Sequence, residues 1–427
     1  MPTTIMWFRR DLRLADNPAL VEAARAGSVV PFFCLDDALL RPAGCNRVAF
    51  LLRSLRALDA SLDHALVVRR GDPVAVVPAL AREVGADAVY ATADFAPYGA
   101  ARDDRVRAAM ALPLHLVSSP YAVAPGTVRN GSGEPYKVFT PFKRAWRAAG
   151  WPAPRKAPRV PQWVTGVASD GIPDDPHTDA TLPAAGEAAA KQAARAFWDR
   201  HLARYDTQRD RPDLDATSRL SPYLKFGALH PRQLLARLDG TDAHRVFTDE
   251  LCWREFYADV LFHRPRSARE TLQAKMRGLE VDTGANADAR FDAWAAGRTG
   301  YPLIDAGMRQ LLAEGWMHNR VRMATASFLV KDLHVDWRRG ARHFMHHLVD
   351  GDLASNQHGW QWTAGTGTDA APFFRVFSPT RQAARFDPDE AYVRRWVPEF
   401  GTDDYPAPIV DHAVERADAL RRYAALR

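Results

Sequence analysis

The sequence predicts an α/β domain followed by an all-α one: an N-terminal doubly wound parallel five-stranded sheet, a Pro-rich connector and a C-terminal helical domain. Three observations lead there. Through the first 120 residues, short β-branched or aromatic runs alternate with Ala/Leu-rich segments of helical period, the pattern of a parallel sheet with crossover helices. Seven prolines then fall between residues 151 and 183 without sustained periodicity. From residue 187 onward strand signals fade and helical patterns with Gly and Pro stops follow one another. These shifts divide the chain at 1–130, 131–190 and 191–427.

In order, strands are expected at 5–9, 29–35, 65–69, 88–92 and 115–118, with crossover helices at 18–26, 47–62, 74–84 and 101–111. A standard dinucleotide turn would place GxGxxG after the first strand, because only glycine lets the backbone approach a pyrophosphate. Here Arg9-Arg10-Asp11-Leu12-Arg13 follows instead, so any dinucleotide is expected elsewhere in the chain.

Composition excludes several classes. The charged and apolar fractions, 25% and 47%, are those of folded globular proteins, which leaves no support for disorder, collagen or a coiled coil. Three scattered cysteines, Cys34, Cys45 and Cys252, are too few for a disulfide framework, paired CxxC zinc ligands or a four-thiolate iron–sulfur cluster. No run reaches a membrane span and no signal peptide precedes the first strand, so a cytoplasmic protein with no membrane partner is expected. The net charge of +6 is evenly spread and permits a polyanionic partner without demanding one. Only the Trp count, 12, is unusual, and 8 of these lie in the helical part.

Four segments carry candidate chemistry. Thr217, Ser218, Arg219, Leu220 and Ser221 precede an apolar helical stretch, where hydroxyls and free N–H groups form an anion site or simply cap the helix. Glu250, Trp253, Arg254 and Tyr257 share one helical face, opposite a core stripe of Phe247, Leu251, Ala258 and Phe262. That face suits a ligand needing stacking and hydrogen bonds together, or is a solvated row of charge pairs. Asn319, Arg322, Met323 and Ala326 share another face, with an amide suited to a base edge and a thioether suited to a flat ring, or form ordinary core and surface. Asp350-Gly351-Asp352, followed by Asn356, Trp360 and Trp362, offers carboxylates for a metal, for ribose hydroxyls or for Arg322. His343, His346 and His347 read as a solvated helix face, with no HExxH or CxxC to support a metal.

Together with Asp16-Asn17, the 300–305 segment and Trp316-Met317-His318-Asn319-Arg320, these segments closely resemble the photolyase/cryptochrome family, and within it the class I enzymes acting on cyclobutane pyrimidine dimers. The resemblance implies a helical domain that holds FAD, active when fully reduced. Tyr205, Thr217, Ser218, Arg219, Leu220 and Ser221 match residues around the FAD phosphates; Asp350, Gly351 and Asp352 match residues near flavin and ribose, with Arg322 as a carboxylate partner. Asn356 matches the position facing flavin N5.

The implied reaction is blue-light repair of UV-damaged DNA: excited FAD donates an electron to the flipped-out dimer, the two inter-base bonds split, and the electron returns. Glu250, Asn319, Met323 and Asn356 match the catalytic set. Trp253, Tyr257 and Trp362 match aromatics at the lesion, and Arg209, Glu250, Arg254, Asn319, Arg375 and Gln382 match DNA contacts. Trp360, Trp337 and Trp294 match the family's electron-transfer chain to the surface. The resemblance implies a monomer.

Three positions point to dimer repair within the family. His318 is followed by Asn319 instead of a second His, Asn356 replaces the Asp or Cys common in cryptochromes, and the chain stops at Arg427 without a signalling tail. Asp94 with Tyr98 and Gly99, and Arg47 and Lys225, resemble the contacts of members that carry 8-hydroxy-5-deazaflavin as antenna, with methenyltetrahydrofolate as the alternative pigment. The rival readings are a cryptochrome-type blue-light receptor and, from the sheet alone, a Rossmann-type NAD oxidoreductase.

Overall fold

The computed structural model describes residues 1–160, 162–368 and 375–426. Five strands, β1 (Thr3–Phe8), β2 (Ser28–Leu35), β3 (Val67–Arg70), β4 (Ala88–Ala91) and β5 (Leu114–Leu116), form one sheet in the order β3-β2-β1-β4-β5 with every pairing parallel. All eight residues of β2 are buried, as a strand covered on both faces by crossover helices requires. The crossovers are Pro18–Ala26, Cys45–Ser61, Pro73–Glu83 and Pro97–Ala109. Asn17 and Asp72 cap two of them, each followed by a proline whose missing N–H is an orphan at that position anyway. Strand order reverses at β1, so the crevice for a ligand opens beyond the C-terminal ends of β1 and β4.

Pro31 lies inside a central strand, where a missing donor is normally excluded. The Pro-rich connector passes β2 on that edge, with Val29 N donating to the Gln162 carbonyl and Val164 N to the Val29 carbonyl, and β3 begins only opposite Phe32. By strand alternation Pro31 faces the gap between them, so no ladder bond is lost. One element inside the expected connector was not foreseen: the helix Phe139–Ala149, which buries Phe142 and Trp146. Its apolar residues, Phe139, Phe142 and Trp146, do fall at i, i+3 and i+7, but over too short a stretch to stand out between Gly and Pro neighbours.

The helical half is built around the helix Asp242–His263, which packs against Phe139–Ala149 and Leu353–Thr363. The core on one face of the sheet continues into this half without a break. Phe50 of Cys45–Ser61 lies 5.3 Å from Phe226 and 5.9 Å from Tyr223, and its full burial contributes about 1.5–3 kcal/mol to that junction. Phe262, expected in the core stripe of the long helix, is 41% exposed because the helix ends there and the ring turns toward Phe95 at its rim. No helix among the described residues is long and apolar enough to cross a membrane.

Candidate functional site

The turn after β1 joins the two halves. Asp11 accepts from Arg9 N and from the Thr92 hydroxyl, at 2.7 and 2.6 Å, which shapes the turn. Leu12 N and the Arg13 guanidinium then donate to the carbonyls of Phe226 and Gly227, at 3.2 and 2.9 Å. Gly227 has φ 68°, and a Cβ there would lie 1.9 Å from the Arg10 carbonyl oxygen, so only glycine allows this approach. Arg10 continues the junction through an ion pair with Asp352 at 2.7 Å. The basic run after β1 thus fastens the domains and holds a carboxylate, a role invisible in its sequence.

Beyond this junction the 217–221 segment meets the Asp350 loop. Ser221 Oγ donates to Asp350 at 2.6 Å, and Arg322 holds the same carboxylate with two bonds, at 3.3 and 2.9 Å. Trp316 lies under both Arg219 and Arg322, at 4.3 and 5.9 Å. Arg219 itself is paired with Asp215 and Glu314 and adopts φ 49°, so it contributes a bent backbone at the site while its charge is used on protein carboxylates. Tyr205 and Leu220 are buried walls. Thr217 Oγ1 is buried and has no hydrogen-bond partner among the described residues, an uncompensated group that a ligand oxygen would satisfy. The residues present therefore fit an anionic nucleotide cofactor.

On the long helix, Glu250 is ion-paired with Arg209. Burial raises its carboxyl, with Arg209 opposing. Trp253 is stacked on Phe139 with centroids 3.6 Å apart and planes 7° from parallel, and Tyr257 lies over His358. The Arg254 guanidinium donates to the carbonyls of Pro120 and Leu224, both at 3.2 Å, and covers Tyr121, bridging segments of the two halves. Asn319 opens the helix Asn319–Lys331, on which Met323 takes the Arg320 guanidinium. Trp362 carries Arg375 over its ring at 5.6 Å, and Gln382 is half-buried on Pro379–Phe386. The Asn356 amide donates to the Ala341 carbonyl and to Gln357 Oε1, which fixes its plane.

A second cavity, of about 1230 Å³, lies between the sheet and the helices. Arg47, Asp94 and Lys225 line it, as do Trp7, Tyr121 and Asp352. Asp94 accepts from Ala96 N and faces Arg102 at 3.5 Å; Gly99 makes room for it, since a Cβ there would meet the carboxylate at 2.1 Å. Arg47 donates to the Met345 carbonyl, and burial pushes its guanidinium down to about 10. Burial would raise the Asp352 carboxyl, but Arg10 and Lys225 more than offset this and hold it below the usual range. Asp352 thus belongs to the rim of this cavity as well as to the Asp350 loop. The histidines of Trp337–His347 have no metal-ligating geometry; among the described residues only His334, Glu415 and Asp418 do, and Arg290, Arg421 and Arg422 pair with those carboxylates.

Comparison with known proteins decides the family. Residues 4–162 match the model described as DNA photolyase, and residues 247–402 match that of the FAD binding domain of DNA photolyase. A deoxyribodipyrimidine photo-lyase of Streptomyces griseus is 42% identical over 452 residues, covering 98% of each chain. The chain belongs to the DNA photolyase family. Among solved structures, a bacterial class III photolyase from Agrobacterium tumefaciens superposes with a TM-score of 0.90 at 35% identity, over 100% of this chain and 98% of that one. An archaeal photolyase from Sulfolobus tokodaii, described with two FAD molecules, superposes with a TM-score of 0.87 at 29% identity, over 99% and 100%.

The helical half of this photolyase-family chain is therefore an FAD-binding domain, and the absence of a glycine fingerprint after β1 is explained. Of the three tryptophans matched to an electron-transfer chain, Trp294 is fully buried, donates to the Thr325 carbonyl and lies 6.1 Å from Trp360, as its direct neighbour. The helix Ala285–Ala295 turns Trp294 inward beneath Phe344, a tertiary choice that residue spacing does not record.

Proposed function

We propose that the protein is a deoxyribodipyrimidine photo-lyase that uses blue light and fully reduced FAD to split cyclobutane pyrimidine dimers in UV-damaged DNA. The observation that carries this reading is the unpartnered Thr217 hydroxyl beside the Ser221–Asp350–Arg322 relay, in a chain 42% identical to a photo-lyase along its length. Reduced FAD, when bound, supplies the electron that opens the dimer on illumination.

The chain's own residues do the rest. Thr217, Ser218 and the 219–221 backbone hold the phosphates, and the Arg322–Asp350 pair fixes a carboxylate near the sugar. Asn356, with its amide NH₂ engaged, presents its carbonyl oxygen toward the N5 edge of the ring. Photolyases are among the enzymes for which base flipping is the established solution, and the flipped dimer needs an aromatic wall and polar anchors. Trp253, one face covered by Phe139, offers its other face, and Trp362 the opposite wall. Glu250, held by Arg209 and with its carboxyl raised by burial, supplies one polar anchor for the pyrimidine edge, while Asn319 supplies a second and Met323 packs against the ring. Arg209, Arg375 and Gln382 approach the DNA around this opening.

Dimer loss from an irradiated oligonucleotide tests the reading: reduced protein under blue light should remove dimers and the same mixture in the dark should not. No loss in light would favour the photoreceptor. In the same assay Trp253→Ala should weaken binding of the dimer by about 1–3 kcal/mol, the worth of one stacked base; unchanged binding would remove Trp253 from the wall.

The cavity lined by Asp94, Arg47 and Lys225 holds the antenna, an 8-hydroxy-5-deazaflavin in preference to methenyltetrahydrofolate. Burial pushes the Lys225 ammonium down to about 7, with Arg10 adding to the shift and Asp352 opposing it. Because the folded-state value lies below the unfolded one, the neutral form is favoured by folding, and the stability penalty of the buried charge is present below pH 7 and relieved above it. An anionic pigment needs the charged form. Pigment retained after gel filtration should therefore fall as pH rises through about 7 and stay level in Lys225→Arg; a level profile in the unmodified protein would contradict the assignment.

A further inference from the structure

The helix Asn319–Lys331 carries one row of side chains at i, i+4, i+8 and i+12: Asn319, Met323, Ser327 and Lys331. The first two are the groups assigned to the dimer above. The last two are buried and hold backbone instead. Ser327 Oγ accepts from Phe377 N at 3.4 Å, and the Lys331 ammonium donates to the Arg375 carbonyl. Arg375 in turn lies over the Trp362 ring at 5.6 Å. The row that bears Asn319 and Met323 at one end therefore fixes, at its other end, the segment that covers Trp362.

A buried ammonium is costly to desolvate, so its placement needs support from the residues around it. The C-terminal helix His412–Ala424 supplies it. Lys331 Nζ lies 5.8 Å from the centre of the Tyr423 ring, whose face attracts a cation. The Tyr423 hydroxyl donates to the Ala364 carbonyl at 2.5 Å, at the end of the helix Leu353–Thr363 on which Trp362 sits. Lys331 and Tyr423 are 3% and 2% exposed, too enclosed to touch DNA themselves. The C-terminal helix is also fastened elsewhere, with His412 Nδ1 on Asp332 and His334 Nε2 on Glu415 at 2.8 Å, so it stays docked when one Tyr423 hydroxyl is removed.

We propose that Lys331 and Tyr423 are positioning residues for the damaged DNA: Lys331 sets where Arg375 stands, and Tyr423 holds both Lys331 and the end of the helix that carries Trp362. The inference rests on the reading that Arg375 and Trp362 face the dimer. It adds that affinity for the dimer depends on two buried side chains through the wall they fix, without contact.

The test measures binding of an oligonucleotide containing one cyclobutane dimer to the full-length protein with chemically reduced FAD in the dark, and repair under blue light at saturating DNA. Lys331→Met should weaken binding on the order of tenfold and Tyr423→Phe about threefold, the loss of one charged and one neutral hydrogen bond, with FAD content and the saturated repair rate unchanged. Added to Arg375→Ala, Lys331→Met should weaken binding no further, because the side chain that Lys331 places is already gone. Should Lys331→Met fail to fold, Tyr423→Phe, which keeps the ring, decides by the same split between affinity and rate. A lower unfolding midpoint with unchanged binding, or effects of Lys331→Met and Arg375→Ala that simply add, overturns the positioning role and leaves the repair reading standing. No dimer loss in light from the unmodified protein overturns both.

Discussion

An Asp16→Ala variant should lose about 3–5 kcal/mol of stability, the usual consequence of stripping one partner from a buried ion pair. Asp16 is fully buried with φ 54°, a conformation that Asp tolerates better than most residues. It accepts from the Arg232 guanidinium at 3.2 and 2.9 Å and from Arg155 N at 3.0 Å, with His230 Nδ1 3.5 Å away. Burial and the neighbouring Arg13 and Arg232 keep His230 uncharged, so Asp16 is the chief counter-charge for Arg232. The two donors, Arg232 and Arg155 N, come from the helical half and the connector, while Asp16 follows the first strand. Its loss therefore loosens all three parts together. Thermal unfolding by circular dichroism measures the effect, and Asp16→Ala/Arg232→Leu should recover part of it, because the stranded guanidinium is gone. An unchanged midpoint in the single variant would mean that water reaches the site and solvates Arg232.

A Trp360→Phe variant should lose photoreduction of oxidised FAD almost completely, yet still repair dimers once its flavin is reduced chemically. Trp360 is buried, with centroids 5.0 Å from Phe344 and 6.1 Å from Trp294, and its Nε1 has no hydrogen-bond partner among the described residues. An oxidised indole there has no base to take its proton, so the positive charge moves on to another ring. Phenylalanine is far harder to oxidise and breaks that first step. The packing change is tolerable: Gly340 leaves room for the indole, and the smaller ring forfeits on the order of 1–2 kcal/mol. Flavin absorbance under blue light with an external electron donor reads the outcome, and normal photoreduction would remove Trp360 from the path.

Much of the fold was legible because it rests on local patterns. The alternation of β-branched runs with Ala/Leu helices placed all five strands and four crossovers to within a few residues, since burial on both faces of a parallel sheet demands such runs. The 217–221 segment, the Asp350 loop and the Glu250 face were legible as chemistry but not as a single site, because their meeting depends on contacts between residues more than one hundred positions apart, such as Ser221 with Asp350. The helix Phe139–Ala149 was missed because its evidence is tertiary: Trp146 is anchored by Glu255, a carboxylate that also takes the N–H groups of Ala122 and Val123.

The doubly wound sheet, the helical half and the types of residue at the site follow from the sequence alone, since periodicity and side-chain chemistry are local properties, and the family and its FAD from the resemblance that the ordered motifs carry. Only the tertiary structure decided direction and partnership. It turned Trp294 inward against Trp360, committed Arg254 to backbone carbonyls between the halves, and gave the basic run after β1 to Asp103, Asp352 and Gly227. The reason is the same in each case: a guanidinium or an indole reaches its partner along a side chain several bonds long, and which partner it meets is set by packing between distant segments.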